Sequence, residues 1–187
     1  EEETVMTKKK KRIRMAAAVL LLAVLAVIYI LVLRADFNGE ETAEEIEEIT
    51  VLTIEREDIA EAKIDNSYGT LSFSYDGEAW TCTDNTEFSL NQDSVSALFN
   101  RLNSLTAVRD LGEMEEEDLD AYGLADPAIT ISITLQDGQE ISVYLGNEAS
   151  DGNLYYRTSE SAHVYTGDSY LATAFDCELS DLEAEEE

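Results

Sequence analysis

The sequence predicts an α+β domain rich in antiparallel hairpins, carried behind an N-terminal transmembrane helix. Three observations lead there. Residues 15–33 (MAAAVLLLAVLAVIYILVL) form an uncharged apolar run. Most later apolar segments alternate with a period of two, the signature of half-buried strands. Only two stretches, around Val95 to Leu105 and around Tyr170 to Phe175, change to helical spacing.

The apolar run is 19 residues long, roughly 28 Å as a helix, which matches a hydrocarbon core of about 30 Å. A cleaved signal peptide would have a shorter apolar stretch and a small-x-small cleavage site. This run ends instead in Leu33-Arg34. Ahead of it stand Lys8, Lys9, Lys10, Lys11, Arg12 and Arg14, and only Arg34 follows directly. That asymmetry predicts a cytoplasmic N-terminus (1–14) and an exported C-terminal part. Met6 reads as the initiator, with 1–5 as an upstream extension.

Charge divides the chain in the same place. The 187 residues carry 12 Lys and Arg against 41 Asp and Glu, a formal net charge of -29. Seven bases and three acids precede Ala35, giving +4, whereas five bases and 38 acids follow, giving -33. An exported part this acidic argues against nucleic-acid partners, which require clustered Lys and Arg. One His and two Cys exclude zinc fingers and most His-based metal sites. No cofactor motif is present.

Residues 35–48 are Glu-rich and poor in large apolar side chains, and read as a self-repelling stalk. The folded domain is expected over 49–180, with 181–187 as an acidic tail. Its elements follow in order. Short strands are predicted at 50–54 and 62–64. Segments 70–75 and 78–83 flank Asp76-Gly77, a pair favoured in two-residue hairpin turns. That register would pair Phe73 with Trp80 and Leu71 with Cys82, placing all four on one face. A core-facing helix is predicted over 91–107, with Ser89 or Asn91 as its cap. An acidic turn over 115–120 leads to Tyr122-Gly123-Leu124, with Gly123 left-handed, and then to Asp126-Pro127.

A second hairpin follows. Alternation puts Ile129, Ile131 and Ile133 opposite Leu145, Val143 and Ile141 only if the loop has three residues, 136–138. Asp137 and Gly138 then form a bulged turn with Gly138 at positive φ. Segments 154–157 and 162–166 make a further hairpin, and Asp168 caps a last short helix. Both halves run strands, hairpin, helix, an order that raises a duplication.

Candidate chemistry is sparse. His163 could serve a hydrolase, but no Gly-x-Ser-x-Gly elbow surrounds any serine, so it reads as a surface or sheet-edge residue. The acids over 113–120 lack the spacing of a calcium loop. Cys82 and Cys177 could bond outside the cytoplasm, though a core-facing Cys82 needs no partner. Alternation sends Trp80 and Tyr156 inward and leaves Tyr155 and Tyr165 as outward candidates for a ligand surface.

The landmarks resemble a bacterial family known as domain of unknown function 4340. The matching residues are Asp76-Gly77 followed by Trp80, the helix start around Asp93, and Tyr122-Gly123-Leu124 with Asp126-Pro127. Asp137-Gly138, Leu145-Gly146, Tyr155-Tyr156 and Val164-Tyr165 follow in the same order, so that the resemblance spans roughly 51–175. Many relatives carry a proline where this chain has residues 83–86. The resemblance implies a membrane-anchored protein, often encoded beside ABC-type export systems of the gliding-motility kind. It implies no catalytic residues. The expectation is a non-enzymatic accessory domain that docks on a membrane partner through a sheet edge or aromatic surface. An envelope-polymer hydrolase with a carboxylate pair, or a structural or cation-binding surface protein, are the alternatives. Oligomeric state is left open.

Overall fold

The computed structural model describes residues 48–185. The basic segment, the apolar run and most of the stalk lie outside the described residues. No helix among the described residues is long and apolar enough to cross a membrane.

Described residues form a mostly antiparallel β structure with few helices, an α+β fold. The elements in chain order are β1 (Ile49–Leu52), β2 (Ile59–Asn66), β3 (Gly69–Tyr75), β4 (Trp80–Cys82), α1 (Gln92–Phe99), β5 (Leu105–Ala107) and β6 (Arg109–Glu113). After a 3-10 turn at Leu119–Tyr122 come β7 (Ile129–Leu135), β8 (Glu140–Glu148), β9 (Leu154–Thr158), β10 (His163–Gly167) and α2 (Tyr170–Phe175). Eight strands join one sheet in the order β4-β3-β2-β7-β8-β9-β10-β6, and β1 pairs with β5 separately. The β2–β7 pair joins two meanders, β2-β3-β4 and β7-β8-β9-β10, and β6, earlier in the chain, is added beyond β10.

One face of the sheet holds the main core. Ile129, Ile131 and Ile133 of β7 and Ile141, Val143 and Leu145 of β8 are all buried there. Their cross-strand register, Ile133 with Ile141 through Ile129 with Leu145, is the one that the three-residue loop requires. Gly138 closes that loop at φ +89°, a conformation that costs glycine little and other residues more. Both helices cover this face, α1 through Val95, Leu98 and Phe99 and α2 through Leu171 and Phe175. Trp80 lies between Tyr75 and Phe99, with ring centroids 4.8 and 4.5 Å away.

The other face is divided. Over β8, β9, β10 and β6 it is covered by a small cluster of Leu119, Leu124 and Val164, joined by Leu111, Met114, Tyr122, Tyr144 and Tyr155. Over β3, β2, β7 and β8 it is open. Period-two alternation sends only hydroxyl and charged side chains there, as in other one-sided antiparallel sheets.

The first hairpin corrects the expected register. Phe73 pairs with Cys82 and Tyr75 with Trp80, so the loop holds four residues, 76–79. The cause is local. Asp76 Oδ1 accepts from the N–H groups of Glu78 and Ala79 at 2.9 and 2.8 Å, and those donors therefore cannot begin a ladder. The slip is two residues per pair, so the faces survive: Phe73, Trp80 and Cys82 remain buried together.

The expected helix over 91–107 is also shorter. Asn91 caps it, its side chain accepting from Ser94 N–H. It passes into a 3-10 turn at Asn100–Leu102, and Leu105 belongs to strand β5. Tertiary pairing with β1 outweighs the apolar spacing that would carry the helix onward. The fold also extends past 180. Leu182 is buried in a 3-10 turn, Leu90 bridges to Glu183, and Ala184 N–H donates to Ser89 C=O.

Candidate functional site

The motif residues are placed as architecture. Gly123 ends the 3-10 turn at φ +69°, which delivers Tyr122 and Leu124 to the small cluster. Tyr122 meets Tyr155 edge-on at 5.0 Å. Gly146 lies directly beneath this turn: a Cβ there would stand 2.3 Å from Tyr122 O. Pro127 follows on the way into β7. Asp76, Gly77, Asp137 and Gly138 shape the two hairpin loops, and Asp137 Oδ1 accepts from Gln139 N–H.

The aromatic expectations need correction. Tyr165 pairs in register with Tyr156, and direct cross-strand partners share a face, so Tyr165 is buried in the main core beside it. Tyr155 is half-buried in the small cluster. Trp80 and Tyr156 do face inward. Among the described residues, the large aromatics left exposed are Tyr68, in the β2–β3 turn, and Tyr170, at the start of α2.

Both ends of the eight-stranded sheet are blunted. Gln92, the first residue of α1, places its side-chain amide along β4 and meets the Trp80 backbone with both donor and acceptor. At the other end, the β6–β10 register shifts, Gly112 adopts φ +86°, and Asp110 Oδ1 accepts from Gly112 N–H. Short, bulged or side-chain-capped edges resist strand addition.

On the open face lies a shallow concavity of about 500 Å³. Cross-strand partners give it two rows: Glu61-Thr134-Glu140 and Ser72-Lys63-Ser132-Ser142. Lys63 is tied to Asp65 at 2.7 Å. A smaller cavity of about 210 Å³ lies between the Arg101 turn and α2, lined by Arg101, Ser104, Thr106, Tyr156, Asp168 and Tyr170. The Tyr156 hydroxyl donates to Thr106 C=O at 2.9 Å, and burial raises this phenol's pKa.

All five bases among the described residues are engaged. Lys63 and Arg109 meet Asp65 and Asp151. Arg56 bonds Glu57 and lies over Tyr75, while Arg101 and Arg157 lie over the Tyr170 and Tyr144 rings. No group of three or more metal-ligating side chains converges among the described residues. His163 lies beside the edge strand, on the face opposite Val164 and stacked with Tyr165. Its Nδ1 is 2.9 Å from both carboxylate oxygens of Asp110. That pairing spans 53 residues of sequence, and nothing local signals it. Cys82 is buried and Cys177 half-buried, both as free thiols. Burial, reinforced by Asp181, pushes the Cys177 thiol up.

These features define a class: a hairpin-built acidic domain, dominated by one eight-stranded sheet, whose motif residues serve turns and packing. The chain belongs to the family described as Domain of unknown function (DUF4340), which matches residues 80–185. The match begins at Trp80, so the Asp76-Gly77 loop precedes it. No curated protein and no solved structure matches the chain.

Proposed function

We propose that this protein is a single-pass, membrane-anchored accessory domain that works outside the cytoplasmic membrane beside an ABC-type export system. The observation that carries the reading is the uncharged run over 15–33 with six bases before it and an acidic chain after it. The family resemblance supports the export association.

The domain acts by docking rather than catalysis. Blunted sheet edges make an aromatic surface the better docking element than strand addition. Tyr170, 55% exposed and carrying the Arg101 guanidinium 4.6 Å from its ring centre, is the best-placed anchor. Tyr and Arg are the residue types that most often dominate binding interfaces. Protease added to sealed cells tests the topology: the domain is expected to be digested, and a domain that survives overturns the anchor's orientation.

One observation favours a second reading, hydrolysis of envelope polymers. Glu61 and Glu140 flank Thr134 on the concave face, two strand spacings or roughly 10 Å apart along the backbone. Both are exposed, rather than set in the desolvated pocket that a general acid needs. Turnover of envelope glycan lost in Glu61→Gln would favour this reading over docking.

A further inference from the structure

We infer that His163, with Asp110 and Glu113 of β6, forms a proton-operated latch that holds the edge strand on the sheet. The inference concerns the folded domain alone and does not depend on the anchor or on the export partner.

The geometry is specific. β6 is the end strand of the eight and pairs only with β10. His163 is the first residue of β10 and sits directly across from Glu113. Its Nδ1 meets both Asp110 oxygens at 2.9 Å, and its Nε2 is 3.9 Å from Glu113 Oε1. The imidazole thus contacts a carboxylate through each nitrogen. The same Asp110 oxygen that His163 meets also takes Gly112 N–H at 2.8 Å, so one carboxylate fixes both the bulge and the interstrand tie.

The two charge states of the ring differ sharply in this setting. An imidazolium donates from Nδ1 to Asp110 and sets its positive charge 3.9 Å from the Glu113 carboxylate. A neutral ring can donate to Asp110 from Nδ1, but its Nε2 lone pair then faces the Glu113 carboxylate. Histidine is the side chain whose charge ordinarily changes between pH 5 and 8. The groups that face the ring come from three strands. Tyr165 stacks on it from β10, with Tyr156 of β9 behind. Arg109 of β6 is bound to Asp151. Asp110 is held below the usual carboxylate range, first by Gly112 N–H and then by His163. The charged ring therefore holds β6 more tightly than the neutral ring does. Slackening frees β6 and uncovers the edge of β10.

Amide hydrogen exchange of the full chain, followed at pH 5–8 and corrected for intrinsic rate, tests this. The β6 peptide is read against the β3 peptide as an internal reference for global opening. Exchange of β6 relative to β3 is expected to rise about two- to fivefold from pH 5 to pH 8, the scale of exposed ion pairs. In His163→Gln, which keeps hydrogen-bonding capacity without titrating, that rise is expected to vanish. A flat wild-type profile, or a rise retained in His163→Gln, overturns the latch. Should His163→Gln lose its fold, Glu113→Gln replaces it, and an unchanged pH response there overturns the latch equally.

Discussion

The side-chain amide of Gln92 lies along the backbone of Trp80 as a neighbouring strand would. Oε1 accepts from Trp80 N–H at 2.8 Å and Nε2 donates to Trp80 C=O at 3.0 Å. The first residue of a helix thereby completes the end of a sheet. It also holds α1 against the strand whose Trp80 ring stacks on Phe99 of that helix. Gln92→Ala is expected to leave two half-buried backbone groups unpaired, at a cost of about 1–3 kcal/mol. Urea unfolding followed by the fluorescence of Trp80 measures it, and an unchanged midpoint would show that water replaces the amide without loss.

The contact beneath Gly146 makes a second prediction. A methyl group there would meet Tyr122 O at 2.3 Å and the Leu124 side chain at 3.0 Å. Backbone oxygen cannot swing aside, so the turn bearing the small cluster must shift. Gly146→Ala is expected to cost about 1–3 kcal/mol or more. Gly152→Ala is the control, because Gly152 has a positive φ of +82° but open space around it. Its cost is limited to backbone strain, about 1–2 kcal/mol. Thermal unfolding of the two variants should rank Gly146→Ala as the less stable.

Tyr156→Phe removes the hydroxyl that donates to Thr106 C=O and leaves the ring in place. Loss of about 0.5–1.5 kcal/mol is expected for one such bond. Because Thr106 lies in β5 and Tyr156 in β9, the bond ties the small sheet to the large one. Increased exchange of β5 amides, with β7 unchanged, is the accompanying signature.

Acid stability follows from carboxylates whose pKa values are lowered by folding. Asp76 is held down by Ala79 and Glu78 N–H groups, Asp151 first by Asn153 N–H, and Asp65 by Lys63 and then Thr70. A lowered folded pKa gives stability that is present above the ordinary carboxylate pKa, about 4. It is lost as pH falls through the lower folded value. The urea midpoint should therefore decline below about pH 4. Asp76→Ala should make that decline shallower, and an unaltered acid limb would contradict the role given to Asp76.

Where local pattern and tertiary structure agree, the sequence was legible. The β7–β8 register follows from Ile alternation and Gly138, since a loop one residue shorter or longer breaks the faces. The β3–β4 faces were legible although the register slipped by two, because Asp76 captured two N–H groups that alternation cannot reveal. β6 was not legible: Arg109-Asp110-Leu111-Gly112-Glu113 has neither apolar alternation nor a turn partner, and it becomes a strand only against β10. The Gln92 cap and the His163–Asp110 contact were hidden for the same reason. Both are side-chain meetings that the completed sheet creates.

Docking of an exported domain through Tyr170 is the central claim, and crosslinking in native membranes tests it most directly. A photoreactive residue at position 170 of the full chain is expected to capture a subunit of an ABC-type export complex, with the same probe at Tyr68 as the comparison site. Recovery of such a subunit from position 170, in preference to position 68, is the predicted result. Recovery of no transporter subunit from either position would contradict it.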